Sequence, residues 1–383
     1  MRSRIFPRNL PRVRASLGIK LIAISLFIFV LIFGISIYQS NQAIIANLRG
    51  TAESELNSAA VVMNEKVTGD KDAALMLANS IASRPDVQKL AAEKNRESLI
   101  NLLTPLFGQL KDQHKIVHFN IVDERGVVLV RLSDPDTYDD YVFYNAVVTN
   151  TINSRRPTGG LEVDITGLSM RGAAPLFYEG NFVGLVEIGI DYSQDFTNIM
   201  KQNTKADFVI WFYKPSTSRF GVEISGQSVA SPNQDFIYYA GTKTDNLTTE
   251  SANLEKAFST FDNIFTIDLE SSQTQASLLI PVLGPDATFF GVTEISIDYT
   301  QRLAQEIQAN ILDQLGRIGV TLLGLAGIGF AINYLVVSPL QKISRFANDI
   351  TSGAAATEIS LKTGDEFEQV SGALNQMGQS IQE

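Results

Sequence analysis

Gly184-Leu185-Val186-Glu187-Ile188-Gly189-Ile190-Asp191-Tyr192-Ser193-Gln194 and Gly291-Val292-Thr293-Glu294-Ile295-Ser296-Ile297-Asp298-Tyr299-Thr300-Gln301 are one strand-like stretch written twice. Seven of the eleven aligned positions are identical, and the alignment needs no gap. A proline-bearing strand pattern precedes each copy, with Pro175 before the first and Pro281 before the second. Chance likeness between two short strands rarely extends through Asp-Tyr into the same polar run-out. The pair therefore marks an internal duplication of an α/β module.

The strands around each copy fill out the two modules. Ahead of the first, Ile116–Ile121 and Val127–Leu132 flank Asp123-Glu124-Arg125-Gly126, a hairpin-type turn. Leu161–Ile165, Met170–Phe177 and Val183–Ile190 follow, the last two joined by Glu179-Gly180-Asn181, and a helix is predicted over about Asp140–Ser154. Ahead of and within the second copy, Phe208–Phe212, Phe236–Tyr239, Phe265–Leu269, Ala276–Leu283 and Phe289–Ile297 read as strands, with Gly284-Pro285-Asp286 as a turn.

Before the strands the period is helical. Ile44, Leu48, Ala52, Leu56, Ala59, Met63 and Val67 recur at steps of three or four, which predicts a long helix with a break at Gly69. Helical pattern continues in Ala73–Ile81 and Leu99–Leu110, with interruptions predicted at Pro85 and Pro105.

Two stretches, Leu21–Tyr38 and Ile318–Val337, hold no charge. Each has about the length that crosses a bilayer core of roughly 30 Å. The first exceeds the apolar run of a cleaved signal peptide and passes directly into the helical stripe, so a retained anchor is expected. Arg2, Arg4, Arg8, Arg12, Arg14 and Lys20 precede it without an anion, and Lys342 and Arg345 follow the second. That bias predicts both termini in the cytoplasm and the segment between outside, with a periplasmic or extracellular address at the inner (plasma) membrane.

The net charge of −10 hides the split: without those six tail cations, 25 basic residues face 41 acidic ones. A nucleic-acid partner is disfavoured by that balance. With no Cys there is no disulfide staple and no thiolate metal site, and the only two His are His114 and His118.

The segment Gln39 to Gln301 resembles the double-Cache sensor domains of methyl-accepting chemotaxis receptors and sensor histidine kinases. The residues that carry the likeness are His118-Phe119, then Arg131, Pro135, Tyr138, Asp139 and Asp140, then Gly160-Leu161-Glu162, Arg171 with Pro175, and Gly184 to Glu187. The subgroup it is most similar to is the double sensory domain of two-component sensor kinases. The resemblance implies a long N-terminal helix and two tandem PAS-like modules, one membrane-distal and one membrane-proximal. The Tyr/Arg/Trp pattern with which other double-Cache sensors grip amino acids is missing, so an amino-acid ligand is not implied.

Residues 337–382 resemble a HAMP domain. Pro339 follows the second span, and Leu340, Ile343, Ala347 and Ile350 step by 3, 4 and 3. Gly353 opens a linker with Ile359 and Leu361; Asp365-Glu366 starts a second helix whose Phe367, Val370, Leu374, Met377 and Ile381 continue the stripe. A heptad stripe alone is only a coiled-coil signal. The resemblance adds a parallel bundle across a homodimer.

The organisation expected is α+β: 1–20 a cytoplasmic basic tail, 21–38 the first span, 39–203 the long helix with the distal module, and 204–305 the proximal module. Residues 306–317 form a connecting helix, 318–337 the second span and 338–383 the HAMP domain. No catalytic constellation, phosphate loop or cofactor motif is present, and no His follows residue 118, where a kinase would need its phosphoacceptor. The expectation is a sensor, not an enzyme, that binds a small ligand outside and relays to a cytoplasmic partner in chemotaxis or two-component signalling. The alternative is the input half of a histidine kinase or nucleotide cyclase.

Arg131, Tyr138, Asp140, Tyr144, Arg171 and Glu187 are the candidate ligand residues. An arginine on a strand either serves a pocket or pairs with a carboxylate such as Asp139, Asp140 or Glu187. A planar guanidinium suits a carboxylate or phosphate, so a small organic anion is the expected ligand. Tyr138 and Tyr144 wall a pocket or belong to the core. His118 reads as a core or edge histidine and not a metal ligand, and no metal or cofactor is expected. Glu187/Asp191 and Glu294/Asp298 recur in both modules, which points to a shared role in the fold. Gly327 and Ala331 form a small-xxx-small pair in the second span.

Overall fold

The computed structural model describes residues 17–164, 167–218, 233–245, 247, 249–269, 273–352 and 358–382. Arg2, Arg4, Arg8, Arg12, Arg14, Ile165, Gly353 and the side chain of Ile381 lie outside them. Two units separate, one of residues 47–303 and one of residues 1–46 with 304–383.

Three helices open the chain: α1 (Leu17–Ala82), α2 (Pro85–Ala92) and α3 (Arg96–His114). The first module then has β1 (Ile116–Asp123), β2 (Val128–Arg131), α4 (Ala146–Ser154), β3 (Thr158–Asp164), β4 (Gly167–Tyr178) and β5 (Asn181–Asp191). Helix α5 (Gln194–Thr204) leads to the second module: β6 (Asp207–Tyr213), α6 (Lys214–Ser218), β7 (Phe236–Gly241), α7 (Ser251–Thr260), β8 (Ile264–Asp268), β9 (Gln275–Leu283) and β10 (Phe289–Asp298).

Strand order shows that the duplication is structural. The two five-stranded antiparallel sheets run β2-β1-β5-β4-β3 and β7-β6-β10-β9-β8, one order shifted by five strands. In each sheet the repeated stretch is the central strand. Both sheets turn one face into a shared apolar core with α1, through residues such as Leu56, Ala74, Ala78, Ile188 and Ile295. The opposite faces are closed separately, by α4 residues Val147, Val148 and Ile152 in the first module and by α7 residues Leu254 and Ala257 in the second.

The repeated Asp-Tyr run-out anchors each strand exit. Tyr192 and Tyr299 are both buried, Asp191 accepts from Ser193 Oγ at 2.7 Å, and Asp298 accepts from Thr300 N at 2.8 Å. Hydrogen bonds join the modules: Leu168 N donates to Tyr239 Oη at 3.0 Å, and Gln194 donates through Nε2 to the Gly241 carbonyl at 2.8 Å while its Oε1 accepts from Gly241 N at 3.3 Å.

Three local expectations are corrected. Helix α1 continues through Gly69, because Ala74, Ala78 and Ile81 beyond it are packed in the core. A mid-helix glycine costs only about 1 kcal/mol relative to alanine, less than that packing supplies. Gly172 on β4 makes the packing close: a Cβ there would lie 2.5 Å from Leu75 N. Pro105 does not interrupt α3, which is held by buried Leu99, Leu103, Phe107 and Leu110 around it; Pro85 starts α2, where its missing N–H is harmless. The helix expected from Asp140 begins only at Ala146, because Tyr141 forms a bridge with Val127 and Asn145 caps the helix by accepting from Val148 N.

In the unit of residues 1–46 and 304–383, the charge-free parts of α1 and of α8 (Thr300–Ile332) expose large apolar side chains such as Phe27 and Leu323. Both helices are long and apolar enough to cross a membrane. A π-helical segment, Asn333–Val337, joins α8 to α9 (Ser338–Thr351), and α10 (Glu366–Gln382) follows. Asn375 clamps the connection, accepting from Ile359 N at 3.0 Å and donating to Ile359 O at 2.9 Å. Phe346 and Leu361 are buried, whereas Leu340, Val370 and Met377 on the stripe stay exposed.

Candidate functional site

Strand alternation places buried polar side chains on the face of the first sheet beneath α4. His118 and Asn120 come from β1, Glu162 and Asp164 from β3, Ser169 and Arg171 from β4, and Glu187 from β5. Spacing by two residues keeps each pair on one face, beside the apolar Val122, Ala173 and Leu185.

Arg171 is the hub. Its Nη1 donates to Glu187 at 3.0 Å, Nε to Ser169 Oγ at 2.9 Å, and Nη2 contacts Asp164 as well as His118 Nε2 at 3.1 Å. Glu187 also accepts from Asn120 Nδ2 at 2.8 Å and from Asn145 Nδ2 at 2.6 Å. The residue that caps α4 thus reaches down into the cluster. Glu162 accepts from Val147 N, in the first turn of α4, at 2.8 Å.

Burial works against the Arg171 charge, but Glu187 and Asp164 overcome it and hold the guanidinium above its ordinary range. Burial likewise opposes Glu187 ionisation, and Arg171 with the other donors overcomes it, keeping that carboxyl below its ordinary value. His118 is lowered to about 4 by burial and then by Arg171, so its Nε2 accepts from the guanidinium as a neutral ring. Glu162 is raised to about 7 by burial, with Arg171 opposing. One permanent cation therefore faces two carboxylates, and a third carboxyl titrates near neutrality.

Of the six residues singled out from the sequence, Arg171 and Glu187 meet in this buried set. Arg131, the last residue of β2, and Asp140, on the loop after it, form a separate, part-exposed ion pair of 2.8 Å, and Arg131 also donates to the Thr137 carbonyl at 3.1 Å. Tyr138 lies against the Arg96 guanidinium, 3.8 Å from its ring centroid, and is half exposed. Tyr144 bridges the two groups electrostatically: burial raises its phenol pKa, and Asp164 adds to the shift. Asp164, His118, Asn120, Asn145, Ser169 and Glu162 were not singled out as ligand residues. Polar residues at i and i+2 within otherwise apolar strands were the available signal.

Residues 51–276 match the family described as the double sensory domain of two-component sensor kinase, and residues 331–383 match the HAMP domain. Among solved structures, the ligand-binding domain of the Campylobacter jejuni chemoreceptor Tlp3 in complex with L-valine is similar at 11% identity and a TM-score of 0.43, over 68% of this chain and 96% of that one. The V. cholerae histidine kinase DctB sensor domain is similar at 11% identity and TM-score 0.38, over 66% and 96%. The E. coli DcuS sensor domain is similar at 14% identity and TM-score 0.30, over 36% and 97%. No curated protein matches the chain.

Proposed function

The chain belongs to the family of double sensory domains of two-component sensor kinases, followed by a HAMP domain, and from that membership we propose a transmembrane ligand sensor. In this reading both termini are cytoplasmic, the two modules lie outside an inner or plasma membrane, and the chain works as a homodimer. Neither domain type is catalytic, so the output chemistry belongs to a cytoplasmic partner or a further domain, of the chemotaxis or two-component kind.

One observation carries the ligand site: the buried set Asp164–Arg171–Glu187 beneath α4, with half-exposed Tyr144 and the Arg131–Asp140 pair beside it. Buried ions lose hydration worth several kcal/mol each, and two buried carboxylates on one guanidinium exceed what a structural ion pair requires. Perturbed titratable groups gathered in this way mark functional sites. The charge balance selects the ligand. Both arginines are already paired, and the set carries an excess of negative charge, so we depart from an organic anion and assign a small polar molecule with a neutral or positively charged head.

Binding at this face acts on α4 through Asn145, and on the second module through the Leu168–Tyr239 hydrogen bond. The ligand shifts signalling only through its different affinity for two packing states. The test is a melting-point screen of the full-length chain in lipid nanodiscs against small amines, polyols and organic acids. A positively charged or neutral compound should raise the melting point, and Asp164→Asn should weaken that response at least ten-fold. A response to carboxylic acids alone would refute the charge argument. Reporter fusions at residue 200 and at the C-terminus test the orientation; a fusion at residue 200 active only in the cytoplasm would overturn it.

A further inference from the structure

We propose that the second module holds a binding site of its own, for a small organic cation, at the position where the first module keeps Arg171. The two central strands carry the same glutamate, Glu187 on β5 and Glu294 on β10, each completely buried. Among the described residues each receives three side-chain donors, from the same three elements in the two modules. On β6 the donor is Trp211, whose Nε1 donates to Glu294 Oε2 at 2.9 Å from two positions further along the strand than Asn120 on β1, since Asn120 pairs with Glu187 but Trp211 pairs with Val292. Asn145, the residue ahead of α4, is matched by Thr249, just ahead of α7, which donates to the same oxygen. Arg171 is matched by Ser277, which donates to Glu294 Oε1 at 3.1 Å.

Sheet register makes the last correspondence independent of the hydrogen bonds. Arg171 pairs with Gly189, and Ser277 pairs with Ser296, the residue that aligns with Gly189 in the repeated stretch. The second module has kept the buried carboxylate and its neutral donors and replaced the cation by a hydroxyl. Among the described residues no Lys, Arg or His forms an ion pair with Glu294. Lys243 feels its charge, yet burial still pushes that ammonium below its ordinary range.

Space lies where the guanidinium is missing. A cavity of about 360 Å³ is lined by Ser277 and Gln275 together with Thr249, Asn253, Thr266 and Asp268. That volume is at the lower end of small-molecule sites. The lining brings no cation, and two of its residues, Thr249 and Ser277, donate to the Glu294 carboxylate behind it. Ser296 Oγ, on the strand next to Ser277, is buried with no hydrogen-bond partner. A carboxylate offers about four acceptor positions, of which the donors among the described residues take three. No group of three side chains suited to a metal ion occurs among the described residues, so the chemistry favours an ammonium or guanidinium group.

The chain supplies its own reporter, since Trp211 is its one tryptophan and its indole N–H bonds to Glu294. Butylammonium chloride titrated into the full-length chain in nanodiscs should change Trp211 fluorescence saturably. Butanol, the neutral counterpart, should be at least ten-fold weaker, as expected for loss of a charge-assisted hydrogen bond. Ser277→Arg installs an internal cation and should abolish the response; Glu294→Gln should abolish it without adding bulk. Asp164→Asn, in the first module, should leave it unchanged, which separates this site from the ligand site proposed above. No saturable change in the parent, an equal change with potassium chloride or butanol, or a response that survives Glu294→Gln would overturn the proposal. Loss of the response in Asp164→Asn would move the cation to the first module and overturn it as well.

Discussion

Arg171 Nη1 lies 3.0 Å from Glu187 Oε1 on the adjacent strand, an ion pair in which both side chains are almost wholly shielded from water. Removing only the cation leaves Glu187 and Asp164 buried without the guanidinium that offsets their charge. Arg171→Leu should therefore lower stability by about 3–5 kcal/mol. Thermal melts of the full-length chain followed by near-ultraviolet circular dichroism check this. Adding Glu187→Gln to that background should recover part of the loss; strictly additive losses would show that the pair is not coupled.

Stability should also respond to pH through two groups with opposite signs. Glu162 is raised from 4.5 to about 7, so its contribution is full below pH 4.5 and is lost as the pH rises toward 7. His118 is lowered from 6.5 to about 4, so its contribution is full above pH 6.5 and is lost as the pH falls toward 4. Each is worth on the order of 3 kcal/mol, and between pH 4.5 and 6.5 they offset one another. Glu162→Gln should make the melting point fall more steeply on acidification through that window. His118→Gln should make it rise as the pH drops from 7 to 4.5, relative to the parent. Parallel pH curves for all three proteins would contradict the assignment.

Gly69 and Gly172 should behave oppositely on substitution by alanine. At Gly69 a Cβ meets nothing within 4 Å, so Gly69→Ala should stabilise the helix by about 0.5–1 kcal/mol. At Gly172 the added Cβ would press on the α1 backbone at Leu75 N and Ala74 C, 2.5 and 2.6 Å away. Gly172→Ala should destabilise by about 1–3 kcal/mol, the range of an overpacked core. Melting points of the two variants should move in opposite directions.

Val370 and Met377 are exposed by 44% and 50%, although they lie on the apolar stripe of α10. Within one chain the stripe is only partly covered, through Phe346 and Ile350 against Gly378. In a homodimer the exposed residues should face a second copy. Met377→Cys should cross-link in membranes, and Val370→Asp should reduce that cross-linking several-fold, because a buried unpaired charge is costly. Equal cross-linking in both backgrounds would place the dimer seam elsewhere.

Much of the architecture was legible because it rests on local periodicity. The two charge-free runs, the stripe from Ile44 to Val67 and the Asp-Glu start of the last helix each carry their signal within a short stretch of chain. The duplicated strand announced two like modules, and the strand order agrees. The errors fell where packing overrides local preference: Gly69 sits in a helix whose next turns are gripped by β4, and Pro105 in one whose apolar face is buried.

The candidate site was legible only in part. Arg171 and Glu187 stood out as charges in apolar strands; Asp164 at the end of β3 and Asn145 ahead of α4 did not, since short polar residues near strand ends and turns are common, and neither did the uncharged Asn120 within β1. Residue types and their order thus determined the sensor architecture, the repeat and the helix stripes. Tertiary structure decided which polar groups meet. Arg171 reaches Glu187 because β4 and β5 pair in one particular register, and Asn145 joins them from the cap of α4, 42 residues away in sequence. Nothing local to Ser277 shows that it stands in the place of an arginine; only the matched register of the two sheets does, because strand pairing sets side-chain neighbours that sequence distance does not encode.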